Sequence, residues 1–414
     1  MGSVGIVGSG IAGMHLALYL QQNEVPVTIY TDRSADQVAA GRLPNTVIHH
    51  RHTLEHEDLL GVDHWAGLDI GFHSAHVHLG GPDPLVMRGD FDYRPRSIDY
   101  RIYLPQLMCD FEERGGELVV REGLQAEDVD RLASEHDLLV VSSGKGSLGA
   151  MFAQRADKCP FEKPQRRLAA GLFHGVERAE PQGYTFSVSP GHGECVEFPT
   201  YSIEGEVTAL LMENIPGGDL EVLAGTRYED DPDGFDRLFL EKIRAHHPAV
   251  YERIDPAQFG LTRPQDLIQG ALVPTVRQDY VRLSNGTYAV AVGDVHTTLD
   301  PVMGQGANSA SFSAMALGRA IVEELAWDAR FCERVVADRD RFVMGASDFT
   351  NIMLEPPAPH ILELFGAMAE CKPLLDEFTN NFSHPDRQVD ALLTPERSRS
   401  LIARHRVDAP ASSG

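Results

Sequence analysis

Short apolar runs alternate with helical patterns at the start of the chain. The run Val4 to Val7 breaks at a glycine-rich turn, and an apolar helical stretch then continues through Met14 to Leu20. A second apolar run, Val27 to Tyr30, follows a polar segment. A buried strand, a crossover helix and another strand make up the βαβ unit of a parallel sheet. The pattern therefore predicts a doubly wound α/β domain.

The same pattern returns twice further along the chain. Residues 97–114 form a helical pattern that ends at Gly115 and Gly116, a pair suited to a helix C-terminus, and the strand pattern 117–120 follows. The apolar runs 137–141 and 288–292 each indicate a fully buried parallel strand, and the second run precedes a predicted helix from Ala307 to about Glu324. We expect all of these segments in one sheet, so the first domain is predicted to be discontinuous.

Between these segments the pattern changes to strict alternation. Tyr184 to Val188 and Val207 to Met212 alternate in the way that is typical of antiparallel strands, and a helix is predicted between Pro232 and His247. This region is expected to carry a substrate site. The predicted division is a nucleotide-binding domain of residues 1–61, 97–165 and 284–350, a substrate domain of residues 62–96 and 166–283, and a C-terminal helical segment with a frayed tail, residues 351–414.

The first glycine-rich turn has the spacing of a dinucleotide-binding turn. Gly8, Gly10 and Gly13 form Gly-x-Gly-x-x-Gly between the predicted strand and helix, an arrangement in which the helix N-terminus binds a pyrophosphate. Asp32, next to Arg33, ends the second strand, where an acidic residue reaches the adenosine ribose. The alternative is a sheet without nucleotide, in which the glycines serve packing only.

A second glycine-spaced turn lies near residue 300. Asp294 follows the predicted strand 288–292 and is expected to bind a ribityl chain. The turn then directs helical N–H groups toward developing negative charge, which a reduced flavin carries at N1–C2=O. The alternative is a glycine-rich active-site loop unrelated to flavin. The predicted contacts on this side of the cofactor are Gly144, Asp294, Gly304, Gln305, Gly306 and Ala307.

The composition of the chain limits the kinds of molecule that it is expected to bind. The 414 residues include 36 basic and 61 acidic side chains, a formal net charge of −25 that disfavours nucleic acid and anionic membranes. The chain has no apolar run of about 18 residues and no signal peptide, so we expect a cytoplasmic protein. A homodimer is one candidate assembly. The five cysteines are scattered without a Cys-x-x-Cys, which indicates neither a disulfide framework nor a zinc site.

Several longer motifs carry a family resemblance. The chain resembles the epoxidase component of the two-component styrene monooxygenases, a group allied to the indole monooxygenases. The resemblance covers nearly the whole length through the two glycine turns and through idiosyncratic segments, among them Asn45-Thr46-Val47, Gly80-Gly81-Pro82, Pro160 to Arg166, Ser189 to Glu194 and Asp376 to Thr379.

The resemblance implies a fold, a cofactor and a reaction. The fold is a Rossmann-type FAD-binding domain of the flavin hydroxylase, glutathione-reductase-like type, with an antiparallel-sheet substrate domain and C-terminal helices. FAD arrives as FADH2 from a separate NADH-dependent flavin reductase, forms a C4a-hydroperoxide with O2, and gives one oxygen atom to an aryl alkene, an indole or a sulfide. An apolar cavity with few acids suits this chemistry, since oxygen transfer to a π-bond needs no protein base.

The resemblance also implies roles for individual residues. Arg42 is a flavin contact, Asn45 lies near the isoalloxazine, and Pro301 completes the expected catalytic set. For Arg42 the alternative is a surface salt bridge, and for His49 it is a core or surface histidine with satisfied hydrogen bonds. The expected substrate pocket comprises Pro44, Val47, His49, Phe72, Ala75, Leu210 and Val302.

The chain departs from the family pattern at the pocket. Its Asn45-x-Val47-x-His49 follows the styrene-type members rather than the Ser-x-Gln-x-Met of the indole type. Phe72 and Ala75, however, stand where styrene epoxidases have a tyrosine and a histidine, and a proline, residue 95, replaces the usual serine. A roomier, more apolar pocket is expected.

Two other functions stay open at this point. One is a self-sufficient NAD(P)H-dependent hydroxylase, which is disfavoured because such enzymes carry an Asp-Gly motif where this chain has Ser142-Ser143-Gly144-Lys145. The other is a flavin-fold binding protein without turnover. A halogenase is disfavoured by the missing Trp-x-Trp-x-Ile-Pro motif.

Three histidine patterns are also present, and we expect no metal site from them. His52-Thr53-Leu54-Glu55-His56 spells an inverted zinc-peptidase motif, which a solvated helix face explains as well. His76 and His78 alternate on a predicted strand without a third ligand, and His192 is expected to be structural in a turn.

Overall fold

A computed structural model describes residues 2–144, 147–324 and 326–407. Two residues of the predicted nucleotide loop, Lys145 and Gly146, and the predicted tail from Asp408 to Gly414 lie outside the described residues. Within the described part no helix is long and apolar enough to cross a membrane.

The described strands are β1 (Val4–Val7), β2 (Val27–Thr31), β3 (Ile48–His49), β4 (Ser74–Leu79), β5 (Leu85–Asp90), β6 (Arg96–Ser97), β7 (Glu117–Val120), β8 (Leu138–Val141), β9 (Arg167–His174), β10 (Gly183–Ser189), β11 (Gly193–Ser202), β12 (Gly205–Asn214), β13 (Gly260–Leu261), β14 (Leu267–Gly270), β15 (Thr275–Val276), β16 (Tyr280–Arg282), β17 (Tyr288–Ala291) and β18 (Thr297–Thr298).

The described α-helices are α1 (Ile11–Gln22), α2 (Ala35–Ala39), α3 (Arg51–Leu60), α4 (Tyr100–Glu113), α5 (Ala126–Leu132), α6 (Val222–Gly225), α7 (Pro232–His246), α8 (Pro248–Tyr251), α9 (Gly306–Glu323), α10 (Ala329–Leu354), α11 (Pro359–Glu370), α12 (Lys372–Asn380), α13 (Pro385–Leu392) and α14 (Pro395–Val407).

The first sheet has the strand order β16-β17-β8-β1-β2-β7. Every pair is parallel except β16 with β17, and Val4 lies opposite both Val27 and Leu138. Its central strands are fully buried because helices pack on the sheet, with Leu16 of α1 and Ile321 of α9 in the same apolar core. The predicted doubly wound sheet is confirmed.

The second sheet has the order β13-β9-β12-β11-β10-β4-β5, with β14 also paired to β9. All pairs are antiparallel except β4 with β10. Alternation along β12 gives the sheet two apolar faces. Leu210 packs with Phe235 and Phe239 of α7, whereas Leu211 belongs to the core of the opposite face.

The strands of the two sheets alternate in groups along the chain, and one predicted boundary differs from the strand pairing. Strand β16 pairs with β17 in the first sheet. The last segment of the chain that joins this sheet therefore begins before the predicted boundary at residue 284. The predicted boundary falls in the hairpin turn between these two strands, where the amide of Gly286 donates to the carbonyl of Leu283.

A buried arginine fixes the long helix α10 to the first sheet. The guanidinium of Arg339 donates to Asp279 Oδ1 at 2.7 Å, to the carbonyl of Ala291 at 2.8 Å and to Ser313 Oγ at 3.0 Å. Burial raises the pKa of Asp279, but His296 and Arg339 outweigh it and hold that pKa well below its ordinary value. Helix α10 is thereby positioned to carry the C-terminal helices against the second sheet.

Candidate flavin and substrate site

The first glycine turn has the geometry of a pyrophosphate cradle. Gly8 adopts φ +117°, and a Cβ at Gly13 would lie 2.0 Å from the carbonyl oxygen of Gly8, so only glycine allows this close packing of helix on strand. A Cβ at Gly10 would meet no protein atom within 4 Å. Gly10 precedes α1, whose first turn receives no side-chain cap. The free N–H groups therefore face open space next to Gly10, which fits an anion.

Two further predicted nucleotide contacts lie at neighbouring strand ends. Asp32 follows β2 with an exposed carboxylate 3.6 Å from the guanidinium of Arg33, a placement that fits a ribose. Gly144 follows β8 with φ +70°, and a Cβ there would lie 3.9 Å from Asp294 Oδ2. The structure thus brings Gly144 and Asp294 together at the carboxyl edge of the sheet, where ligands bind in such folds.

The second glycine turn presents another helix N-terminus. Gly304 adopts φ +62°, and added Cβ atoms at Gly304 and Gly306 would meet no protein atom within 4 Å. Gln305 precedes α9 without capping it, and its buried Oε1 has no hydrogen-bond partner among the described residues. Ala307 lies in the first turn of α9. Open backbone N–H groups at this position fit the pyrimidine oxygen of a reduced flavin.

Asn308 ties this turn to the strand that carries the family motif. Its side-chain nitrogen donates to the carbonyls of Ile48 and Gly304, each at 2.9 Å, and its oxygen accepts from the amide of His50. Asn45 lies in the same segment, and its buried Oδ1 has no partner among the described residues, which fits its predicted place near the flavin ring. Arg42 is exposed and donates to the carbonyl of Leu267 at 3.2 Å, and it forms no salt bridge with any described residue.

A cavity of about 780 Å³ starts at this turn and runs between the second sheet and the C-terminal helices. The end of the cavity at the second glycine turn is formed by Pro301, Val302 and Gly304. Apolar side chains from β4, β10, α10, α11 and α12 and from the residues after α12 make most of its wall: Val77, Phe186, Val188, Met353, Ile361, Phe365, Met368, Phe378 and Phe382. The expected apolar cavity is present.

Three of the predicted pocket and catalytic residues line this cavity, namely Ala75, Pro301 and Val302. Most of the other predicted residues are outside its lining, and in two segments their sequence neighbours take their place. Thr46, Ile48 and His50 face the cavity instead of Asn45, Val47 and His49, and Leu211 replaces Leu210. Outside the lining, Pro44 is exposed, Phe72 is fully buried against Phe198, and Val47 packs on the core of the first sheet.

His49 belongs to a buried hydrogen-bond network. Its Nδ1 lies 2.6 Å from Glu57 Oε1 and its Nε2 lies 2.9 Å from the hydroxyl of Tyr100. Burial raises the pKa of Glu57, but His49 and Arg96 outweigh it and lower that pKa to about 2. The alternative of a satisfied core histidine is therefore the one that the structure supports.

A group of acidic side chains is buried beside the cavity, where the sequence pattern indicated none. Asp300 caps the turn Pro301–Met303 through a 3.1 Å bond from the amide of Val302, and its Oδ2 has no partner among the described residues. Burial raises the pKa of Asp300 to about 6. Glu213 is fully buried, both its oxygens lack described partners, and burial raises its pKa well above the ordinary range.

Glu194 completes this group and is paired to Arg166. The guanidinium of Arg166 binds both carboxylate oxygens of Glu194, at 2.7 and 2.8 Å, and donates to the carbonyl of Leu354 at the end of α10. Both residues line the cavity. Asp-Pro at a helix start is a sequence signal for a cap at Asp300, but no local signal shows that the cap is buried.

The histidine motifs have structural roles. Among the described residues no group of three or more His, Cys, Asp or Glu could hold a metal ion. His52 packs edge-on against Phe312 and Phe342, and His56 Nδ1 lies 2.8 Å from Ser311 Oγ, so the expectation of a solvated helix face is wrong. His192 accepts a 3.0 Å bond from the amide of Asp219 in its turn. His76 Nε2 lies 2.8 Å from the carbonyl of Pro181.

Comparisons with known proteins show the family of this chain. Residues 144–253 match the family model described as "Styrene monooxygenase A putative substrate binding domain". Styrene monooxygenase StyA of Pseudomonas fluorescens is 44% identical over 398 residues, which cover 95% of this chain and 96% of that protein. The chain belongs to the styrene monooxygenase family. It is a flavin-dependent monooxygenase, and its cofactor is FAD.

More distant proteins share the fold. The structure of the flavin-dependent brominase Bmp2 matches with a TM-score of 0.68 at 15% identity, covering 98% of this chain and 99% of that chain. The structure of PqsL, a probable FAD-dependent monooxygenase from Pseudomonas aeruginosa, matches with a TM-score of 0.62 at 14% identity, covering 95% of this chain and 100% of that chain. At such identities the likeness shows the fold alone.

Proposed function

We propose that this chain uses reduced FAD and O2 to epoxidise styrene-like aryl alkenes, and that a separate NADH-dependent flavin reductase supplies the reduced FAD. Indole and aryl sulfides are further substrates of the same site. The observation that carries the proposal is the apolar cavity whose inner end is the turn Pro301 to Gly304, directly before the open N-terminus of α9. A substrate in this cavity lies next to the place where the turn holds the flavin.

The residues of the chain hold the cofactor and keep water away from it. Gly8, Gly10 and Gly13 hold the pyrophosphate, Asp32 binds the ribose, and Asn45 supplies an amide to the flavin ring. When bound, reduced FAD would activate O2, one oxygen atom of which goes to the substrate while the other leaves as water. The aliphatic and aromatic wall excludes water, which protects an oxygen-transferring flavin from unproductive decay.

A direct NAD(P)H-dependent hydroxylase is the second candidate, and the source of electrons separates the two. We expect the isolated chain with photoreduced FAD, O2 and styrene to form styrene oxide in a single turnover. With oxidised FAD and NADH or NADPH alone it should form none, and addition of any competent FAD reductase should restore the product. Rapid flavin reduction by NADH in the isolated chain would contradict the two-component reaction.

A matched pair of variants tests whether the cavity is the substrate site. Val188 lines the cavity on β10, whereas Val86 on β5 is 71% exposed and lies outside its lining. Val188→Trp should abolish most of the epoxide formed in the single-turnover assay while leaving FAD affinity unchanged. Val86→Trp adds the same bulk to the surface and should leave both unchanged. Equal epoxide yields from the two variants would place the reaction elsewhere.

A further inference from the structure

Two polar side chains stand out in the apolar wall of the cavity. Tyr184 on β10 lies directly opposite Ala75 of β4 and is 5% exposed. His50 follows β3 and is 3% exposed. Both line the cavity, and both rings contact Phe91 and Phe382, at centroid distances between 5.7 and 6.3 Å. Tyr184 and His50 therefore lie on the same wall of the cavity.

The hydrogen bonds around Tyr93 determine the tautomer of His50. The hydroxyl oxygen of Tyr93 accepts a 2.9 Å bond from Ser383 Oγ. Among the described residues, His50 Nδ1, 2.8 Å away, is the remaining hydrogen-bond partner of this hydroxyl, so the hydroxyl donates its own proton to Nδ1. Burial lowers the pKa of His50 to about 3, so the ring is neutral and its single proton is on Nε2.

Both side chains therefore offer a hydrogen-bond donor without an acceptor. No described residue accepts from His50 Nε2, and none forms a hydrogen bond with the hydroxyl of Tyr184. Burial raises the pKa of Tyr184, so its hydroxyl keeps the proton. Ala75, its cross-strand neighbour, has no polar atom in its side chain to accept that proton. A buried donor favours any ligand that brings an acceptor to it.

We propose that Tyr184 and His50 form a donor pair that binds a hydrogen-bond acceptor of the substrate. The substrate class that fits is an aryl alkene bearing one carbonyl or ether oxygen, in preference to a plain hydrocarbon of the same size. The inference rests on the proposed function for the reaction itself. The donor pair makes Tyr184 and His50 specificity-determining residues of the substrate cavity.

Binding to the flavin-free protein tests the inference without turnover. The probes are the three ring isomers of vinylacetophenone, each paired with the isopropyl styrene of the same shape, and the dissociation constants are measured by calorimetry. For at least one isomer we expect the ketone to bind about 10-fold more tightly than its hydrocarbon partner. Tyr184→Phe should reduce this preference to about 3-fold or less. Tyr228→Phe, which removes a hydroxyl from the core against α7, should leave it unchanged.

Nitrogen NMR of the histidine ring gives a second, independent measurement. His50 should show a protonated Nε2 and an unprotonated Nδ1, and Tyr93→Phe should release this tautomer and weaken the ketone preference as well. If Tyr184→Phe fails to fold, the Tyr93→Phe comparison decides. The inference is overturned if the wild-type chain shows no preference for the ketones. It is also overturned if Tyr184→Phe, or Tyr93→Phe where Tyr184→Phe does not fold, keeps the same ketone preference as Tyr228→Phe.

The same probes separate this inference from the proposed function. Epoxidation of styrene and isopropyl styrene by reduced FAD, with no preference for the ketones in binding, leaves the function standing and rejects the donor pair. A clear ketone preference without epoxide from any probe supports the donor pair and rejects the proposed reaction.

Discussion

Replacement of Asp300 by asparagine should make the protein more stable at neutral and alkaline pH. The carboxyl group is fully buried, one oxygen accepts from the amide of Val302, and the other has no partner among the described residues. Burial raises its pKa from 3.8 to about 6, and Glu194 acts in the same direction, whereas the Val302 amide and Arg166 oppose the shift. Asparagine keeps the capping oxygen and has no proton to lose.

The sign and size of the effect follow from linkage. Because the folded protein binds this proton more tightly than the unfolded chain, its contribution to stability is complete below about pH 3.8 and is lost as pH rises through about 6. A shift of about two units corresponds to about 3 kcal/mol. Between about pH 4.5 and 8, Asp300→Asn should therefore gain about 2 kcal/mol in the free energy of unfolding relative to wild type.

Urea unfolding of both proteins across this pH range measures the difference. Asp328→Asn is the control, because Asp328 caps α10 from an exposed position through bonds from the amides of Arg330 and Phe331. The difference in the free energy of unfolding between Asp328→Asn and wild type should not grow with pH. The reasoning is refuted if the advantage of Asp300→Asn at pH 8 is no larger than at pH 4.5.

Three further outcomes are expected. Reduced FAD should bind more tightly than oxidised FAD in anaerobic and aerobic titrations, because the open N-terminus of α9 favours the anionic form; equal affinities would contradict this. Gly10→Ala should lower FAD affinity at least about 10-fold without loss of stability, because its Cβ meets only the space assigned to the pyrophosphate, whereas Gly366→Ala in α11 should leave affinity unchanged. Ala75→His should lower kcat/KM for indene more than for styrene, because it fills the cavity; an unchanged ratio would place Ala75 outside the substrate path.

The parts of the fold that the sequence predicted are those with local causes. The glycine turns at Gly8 to Gly13 and at Gly304 to Gly306 require backbone conformations that few other residues adopt, and the short apolar strands require cover on both faces. Period and spacing therefore located the first sheet and the two glycine turns. The boundary at residue 284 was misplaced because a hairpin turn resembles a domain edge in sequence.

The parts that it missed depend on contacts between distant segments. In residues 45–50 both alternating sets contain apolar and polar members, so alternation alone did not show that Ile48 and His50 rather than Val47 and His49 face the cavity. Helices α11 and α12 close the cavity, but their sequences gave no functional signal. The apolar pattern of a helix that lines a cavity is the same as that of a helix packed on a hydrophobic core. The burial of Asp300 arises only when the second sheet and α10 pack together.

The interleaving of the two sheets has a consequence for synthesis of the chain on the ribosome. Strands β1, β2, β7 and β8 are complete once residue 141 has emerged, but β17, which covers the open edge of β8, lies at residues 288–291. During synthesis of the intervening residues, which contribute most strands of the second sheet, β8 presents unpaired amides and carbonyls on an apolar strand. The nascent protein thus passes through a stage in which aggregation competes with folding. The length of this stage is set by the strand order, because β8 stays unpaired on one side until β17 has been synthesised.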